Sequence, residues 1–429
     1  MTGMDELAAR LDEQLAATDA ELTARYPGDS GTRQPVHTVY VPADRFHPGI
    51  VPQWGGLARE ALESDLSDVA TLAQVLDVDR ALAAEVLPLV RAKLEDEPIE
   101  DLRIDFEDGY GMRDDSTEDA SVDVAVSALL AARREGTAPH LTGIRVKSFE
   151  APTRRRGLDT LARFVGALVD GGGDGGQLPE GFVVTFPKVT AVDQVGAMVV
   201  ACEHLERRAG LAPGSMRFEI QVETPQSILL ADGTAAVARM ISAAGGRCTA
   251  LHYGTYDYSA SLGIAAEYQS MEHPVADHAK AVMQLAAAGT GVRLSDGSTN
   301  VLPVGAPEAR YAAWRLHARL VRRSLERGYY QGWDLHPAQL PTRYASTFAF
   351  YRKGFPAAAA RLRAYVTQDD SGFLDEPATA RALAWFLARG LQCGAIREDE
   401  TSRAVGLDRP AVERLAHPSG TGWLPARTG

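Results

Sequence analysis

The feature that most constrains this chain is an alternation of short β-branched runs with amphipathic or alanine-rich stretches, sustained over roughly 300 residues. Strands are expected at His37–Val41, Leu102–Phe106, Gly143–Val146, Phe182–Phe186, Phe218–Val222, Ala250–Tyr253, Gly291–Leu294 and Gly332–Leu335. Helical stretches such as 120–134, 159–169, 191–209, 231–243 and 307–327 lie between them. Strand–helix repetition of this kind gives a parallel sheet wound by right-handed crossovers. Eight units are what a closed (β/α)8 TIM barrel requires, with a doubly wound open sheet as the competitor. The run Gly171–Gly176 does not favour the open sheet, because it follows a helix and precedes a strand. A phosphate-cradling glycine loop has the opposite order, so this run is read as a surface turn.

Three regions are expected. Residues 1–30 form an N-terminal helix, with Leu7, Leu11, Leu15 and Leu22 at helical spacing, ended by Tyr26-Pro27-Gly28. Residues 31–340 form the barrel, interrupted after its first strand by a helical insertion at 46–100 containing helices Leu57–Leu66 and Asp68–Leu94. Residues 341–429 form a helical extension, with helices at Tyr344–Lys353, Pro356–Tyr365 and Pro377–Arg389. The 44 Lys and Arg against 57 Asp and Glu leave a net charge of −13. That balance argues against nucleic acid as a partner, since phosphate contacts need clustered cations. No apolar run reaches the ~18 residues of a membrane span, and the acidic start lacks the pattern of a secretion signal. Cys202, Cys248 and Cys393 have no metal-ligand spacing and fit reduced thiols in the cytoplasm. The surplus carboxylates serve either solubility or a bound cation.

In a barrel, chemistry gathers at the carboxyl ends of the strands. Asp105, Glu107 and Asp108 follow the second strand, Arg145 ends the third, Lys188 follows the fourth, Glu223 the fifth and Asp257 the sixth. Glu223 and Asp257 are 34 residues apart, about one strand–helix unit, so adjacent strands can present both to one point. Two carboxylates with waters and a bidentate ligand make a reasonable Mg²⁺ site; each alone fits a solvated loop or helix cap. Gly254 and Thr255 suit a tight turn bringing backbone close to a ligand. Three acids within four residues need a cation, an Arg or water to offset their repulsion. Arg145 either clamps a substrate carboxylate or pairs with a structural acid. His336, before Pro337, fits a structural role or a substrate loop. No GxSxG, HExxH or P-loop occurs.

Taken in order, VPADRF, DFEDGYG, IRVKS, FPKV, VETP, GTYDY and HPAQ, with GFLDEPATARALAWFL beyond them, resemble the citrate lyase β-subunit / malyl-CoA lyase (HpcH/HpaI aldolase) family. Malate synthase is a more distant relative. The resemblance spans 39–386 and implies a (β/α)8 barrel whose Mg²⁺ (or Mn²⁺) is bound directly by Glu223 and Asp257. It further implies that Arg145 holds a substrate carboxylate, that Glu107 and Asp108 orient metal-bound water, with Asp105 beside them, and that Lys188 balances charge. Asp375 would be the acid/base, reaching into its own barrel or that of a neighbouring subunit in a homo-oligomer. The implied activity is carbon–carbon lyase or aldolase chemistry through an enolate, on a 2-oxo acid or an acyl-CoA. The long connection after the first strand, and the reduction of basic residues there to Arg45 and scattered arginines, weigh against coenzyme A. A pyruvate- or phosphoenolpyruvate-type phosphoryl-transfer enzyme and a non-catalytic ligand sensor are the alternatives.

Overall fold

The computed structural model describes residues 3–172, 175–367 and 376–416. All eight expected strands form: β1 (His37–Pro42), β2 (Asp101–Asp105), β3 (Leu141–Arg145), β4 (Val183–Phe186), β5 (Arg217–Val222), β6 (Cys248–Tyr253), β7 (Arg293–Ser295) and β8 (Gly332–Asp334). They lie in the order β7-β6-β5-β4-β3-β2-β1-β8. A parallel bridge from Ser295 to Gln331 joins the two ends. The sheet therefore closes as a (β/α)8 barrel, and an open sheet, which reverses strand order at a switch point, is excluded. β7 starts two residues later than the pattern suggests, because Gly291 turns with φ 78°. Gly172, Gly175 and Gly176 also have positive φ, as a turn requires.

Helix α1 (Gly3–Arg25) precedes the barrel and buries none of its residues. The insertion after β1 holds α2 (Ile50–Ala61), a π turn (Leu62–Leu66), α3 (Val69–Leu76) and α4 (Arg80–Asp96). The single helix expected over Asp68–Leu94 is thus two. Asp77 ends α3 in the left-handed region at φ 54°, and the Asp79 carboxylate caps α4 by accepting from Leu82 N–H. Crossovers are supplied by α5 (Asp115–Glu135), α6 (Arg154–Asp170), α7 (Val192–Ala209), α8 (Ala236–Ala243), α9 (Thr255–Ser261), α10 (Pro274–Ala287) and α11 (Pro307–Glu326). The tail contains α12 (Leu340–Thr367), α13 (Pro377–Gln392), α14 (Glu398–Val405) and α15 (Arg409–Ala416). The expected break before Pro356 does not occur. A helix-interior proline costs ~3 kcal/mol, whereas α12 buries Leu340, Tyr344, Phe348, Tyr351 and Leu362 against its neighbours, at ~1.5–3 kcal/mol for a large apolar side chain.

Strand alternation decides what fills the barrel. On β2, Leu102 and Ile104 join the hydrophobic core, while Asp101, Arg103 and Asp105 take the opposite face. Arg103 donates from Nε and Nη2 to Glu219 at 2.9 and 2.7 Å. Since β2 and β5 are not neighbours, these bonds cross the lumen. Asp101 also accepts from Arg103, and Thr185 donates to Glu219 at 2.5 Å. Barrel interiors are usually packed with Val, Ile and Leu; this one has a charged middle layer in which two carboxylates, Asp101 and Glu219, share the Arg103 guanidinium.

Candidate active site

Above that layer, at the carboxyl ends, the first unit is an acid–arginine pair. Asp105 closes β2 and accepts from the Glu107 and Gly109 backbone N–H groups, both at 2.9 Å. Arg145 closes β3, and its Nε and Nη2 each reach Asp105 at 2.7 Å. The arginine fork is therefore committed to a structural acid, one of its two expected roles. Nη1 and the second Nη2 hydrogen are left for other partners, with Glu107 3.3 Å and Gln221 3.5 Å from Nη1. Burial opposes the guanidinium charge, yet Asp105 and Glu107 hold its pKa well above the usual arginine value. The Arg145 guanidinium also lies 4.8 Å from the Tyr40 ring centroid and 5.6 Å from that of Trp333.

Lys188 organises the second unit. It is one of two non-glycine residues with positive φ among the described residues, at 51°, a conformation costing ~1–2 kcal/mol. The turn after β4 aims its backbone N–H at Glu223 Oε1, 2.8 Å away. Its ammonium meets Glu107, Asp108 (2.7 Å) and Asp257 (3.4 Å). Burial works against the Lys188 charge, but Glu107, Glu223 and Asp108 raise its pKa above normal. Glu107 is pushed up, chiefly by burial and then by Asp108, against the pull of Arg145 and Lys188. Asp108 is half-exposed, and Lys188 holds it below normal despite partial burial.

Glu223, at the end of β5, is 2% exposed. Burial lifts its pKa to about 8; Asp257 and Glu107 add to the lift, and Lys188 only partly offsets it. Gly254 is required by this packing, because a Cβ there would lie 2.5 Å from Glu223 Cβ and 2.6 Å from its Oε2. Thr255 then opens α9, carrying Asp257 in its first turn, and its buried Oγ1 has no hydrogen-bond partner.

The remaining expected positions divide. His336 is a turn residue: its Nδ1 accepts from Ala338 N–H at 3.1 Å, and Gln339 caps the same turn. Arg45 lies exposed in a short turn after β1. Asp375 lies outside the described residues. Tyr40, Trp333 and Gln221 were not singled out, although all three surround Arg145. Strand parity was the available signal for Gln221, which shares a face with Glu219 and Glu223.

Among the described residues no three His, Cys, Asp or Glu side chains converge on one point as a metal cluster. Around Lys188 stand Glu107, Asp108, Asp257 and Glu223, and of these Glu223 and Asp257 are the pair that the motif resemblance assigns to a cation. Oxygen-only donors in that number suit Mg²⁺, which is commonly held by one or two carboxylates and completes its shell with water and substrate oxygens. The uncompensated burial of Glu223 fits an added cation in the same direction.

A closed barrel with a polar lumen and an acid-rich mouth on the βα loops defines the class of molecule. Its fold is similar to that of a citrate lyase from Burkholderia xenovorans LB400, with 20% identity, a TM-score of 0.53, and coverage of 74% of this chain and 91% of that one. A Haloferax volcanii malate synthase matches at 13% identity and TM-score 0.48, over 90% of this chain and 97% of that chain. An HpcH/HpaI aldolase/citrate lyase family protein from Burkholderia cenocepacia J2315 matches at 16% and 0.39, over 80% and 99%. The families expected from the ordered motifs are those found among the structural neighbours. The chain itself belongs to the family described as Domain of unknown function (DUF6986), whose model matches residues 15–419. No curated protein matches it in sequence. Among the described residues no helix is long and apolar enough to cross a membrane.

Proposed function

We propose that this protein is a Mg²⁺- or Mn²⁺-dependent carbon–carbon lyase or aldolase acting on a small 2-oxo acid through an enolate. The observation that carries the reading is the placement of Glu223 and Asp257 just beyond the consecutive strands β5 and β6, the first accepting from the Lys188 backbone N–H and the second 3.4 Å from its ammonium. Glu223 and Asp257 hold the cation, which when bound supplies Lewis-acid polarisation of the substrate carbonyl. Lys188 and Arg145 keep Glu107 and Asp108 from collapsing onto that position. With Nε and one Nη2 hydrogen held by Asp105, Arg145 offers a substrate carboxylate its Nη1/Nη2 end, and Asp105 fixes the direction in which that end points. Asp375 is the assigned proton donor and acceptor at the reacting carbon, on the strength of its motif. The sparse cations around Arg45 favour a free 2-oxo acid over an acyl-CoA.

The test combines calorimetry with turnover. Mg²⁺ or Mn²⁺ should raise the unfolding temperature, and Glu223→Gln and Asp257→Asn should each abolish that response. Asp375→Asn should keep cation binding and lose cleavage of 2-oxo acid aldols. Unchanged cation binding in both Glu223→Gln and Asp257→Asn rejects the site.

A further inference from the structure

The largest of the described cavities, about 1050 Å³, is not at this mouth but at the amino ends of the strands. Its floor is the middle layer of the lumen, where Asp101, Arg103 and Glu219 satisfy one another. Two further cations on its wall differ. Arg217 opens β5, two residues before Glu219 and therefore on the lumen-facing parity. Arg293 opens β7 and is paired in register with Ala250, which shares the parity of His252, itself 3.1 Å from Glu219 in the lumen.

Neither guanidinium has a carboxylate within ion-pair distance among the described residues. Arg25, also on the wall, is paired with Glu21, and Arg33 with Glu97 and Glu100. Arg293 instead donates to Thr32, at 2.6 Å to its carbonyl and also to its hydroxyl. It is partly buried, and a guanidinium withdrawn from water without an acid is costly. Of the wall's other acids, Asp29 lies 3.5 Å from Arg389, and Glu180 is exposed to solvent. Two strand spacings separate β5 from β7, ~10 Å, a span that two arginine side chains can close upon one anionic head. The wall also carries an apolar part, with Tyr26, Leu141, Leu178, Ile241 and Val292, beside polar residues such as His140, Gln177 and Thr290.

We propose that this cavity binds a small amphipathic anion, its carboxylate or phosphate head between Arg217 and Arg293 and its apolar body against Leu141, Leu178 and Ile241. The site is separate from the metal mouth and does not depend on the activity proposed there. The volume matches ligands of drug-like size, for which cavities of ~300–1,000 Å³ are usual.

Isothermal calorimetry on the full chain with octanoate, octyl phosphate and uncharged octanamide tests it. Saturable binding of either anion, with the tighter one identifying the head group, is expected, and octanamide should bind at least about tenfold more weakly. Arg293→Gln should weaken the anion by about tenfold or more, with Arg293→Lys recovering part of the loss. Arg217→Gln, at an exposed position that does not threaten folding, should weaken it in the same direction. Asp257→Asn should leave it unchanged. No saturable binding of either anion, equal binding of octanamide, or an unaltered affinity in both Arg217→Gln and Arg293→Gln overturns the proposal.

Discussion

Glu219 and Glu223 stand four residues apart on the same strand, face the same lumen and are equally buried, each 2% exposed. Burial alone would raise both. Glu219 is nevertheless held well below the carboxylate range, because Arg103 and His252 face it at hydrogen-bond distance. Glu223 rises to about 8, because its nearest charges include Asp257 and Glu107 as well as Lys188. The difference is one of completeness. Glu219 has a guanidinium of its own chain at 2.7 Å, whereas Glu223 depends on Lys188, whose ammonium is already shared by Glu107, Asp108 and Asp257. A buried acid left in that condition is characteristic of a site whose balance is finished by something that binds.

The largest expected effect comes from breaking the complete half. Arg103→Met leaves Asp101 and Glu219 buried without their cation and should cost ~3–5 kcal/mol in urea unfolding. Arg103→Met combined with Glu219→Met should recover part of the loss, since both partners of that pair are then gone. A single-variant loss below ~1 kcal/mol would mean that Arg103 is not the counter-charge on which the two buried carboxylates rest.

The incomplete half should show itself in pH dependence. Glu223 binds its proton more tightly folded than unfolded, so its contribution to stability is present at low pH and is lost as pH rises from about 4.5 to about 8. Without divalent ions, unfolding free energy should decline across that window by a few kcal/mol, at no more than ~1.4 kcal/mol per pH unit from this group. Glu107, also raised, adds to the slope in the same sense. Glu223→Gln should flatten the decline, and Mg²⁺ should stabilise wild type most at the alkaline end. A slope identical in wild type and Glu223→Gln removes the distinction between the two glutamates.

How far this was legible in the sequence follows from the same physics. The strands were legible because alternation of apolar and charged residues in LRIDF, GIRV and FEIQV records which face meets the helices and which the lumen. The carboxylates of the mouth were legible from their place just after strands. What each charge contacts was not, since Arg145 against Asp105 and Arg103 against Glu219 are settled by register and closure across 40 and 116 residues of chain. The continuity of α12 through Pro356 was hidden too, because it rests on burial against other helices. The break at Asp77 depended on a left-handed aspartate that no periodicity signals.

Lys188→Met sharpens the comparison at a smaller scale. It removes the ammonium shared by Glu107, Asp108 and Asp257 and should raise Glu223 further. The loss should be ~1–2 kcal/mol at pH 8 and smaller at pH 5, where Glu223, raised to about 8, is protonated and no longer needs the ammonium's charge. A loss equal at both pH values would assign Lys188 a packing role.

Asp108→Asn should have the smallest effect of the series. The Asp108 side chain is 56% exposed and shares Lys188 with Glu107, and exposed pairs contribute ~0–1 kcal/mol. A change within ~0.5 kcal/mol is expected, together with unaltered Mg²⁺ affinity, because the ion's proposed ligands are Glu223 and Asp257. Asp108 then differs from Glu223 in the one property that distinguishes the mouth from a solvated acidic turn, which is withdrawal from water. If Asp108→Asn instead weakened Mg²⁺ as much as Asp257→Asn does, the ion would lie nearer the β2 loop, and the deficit at Glu223 would need a different counter-charge.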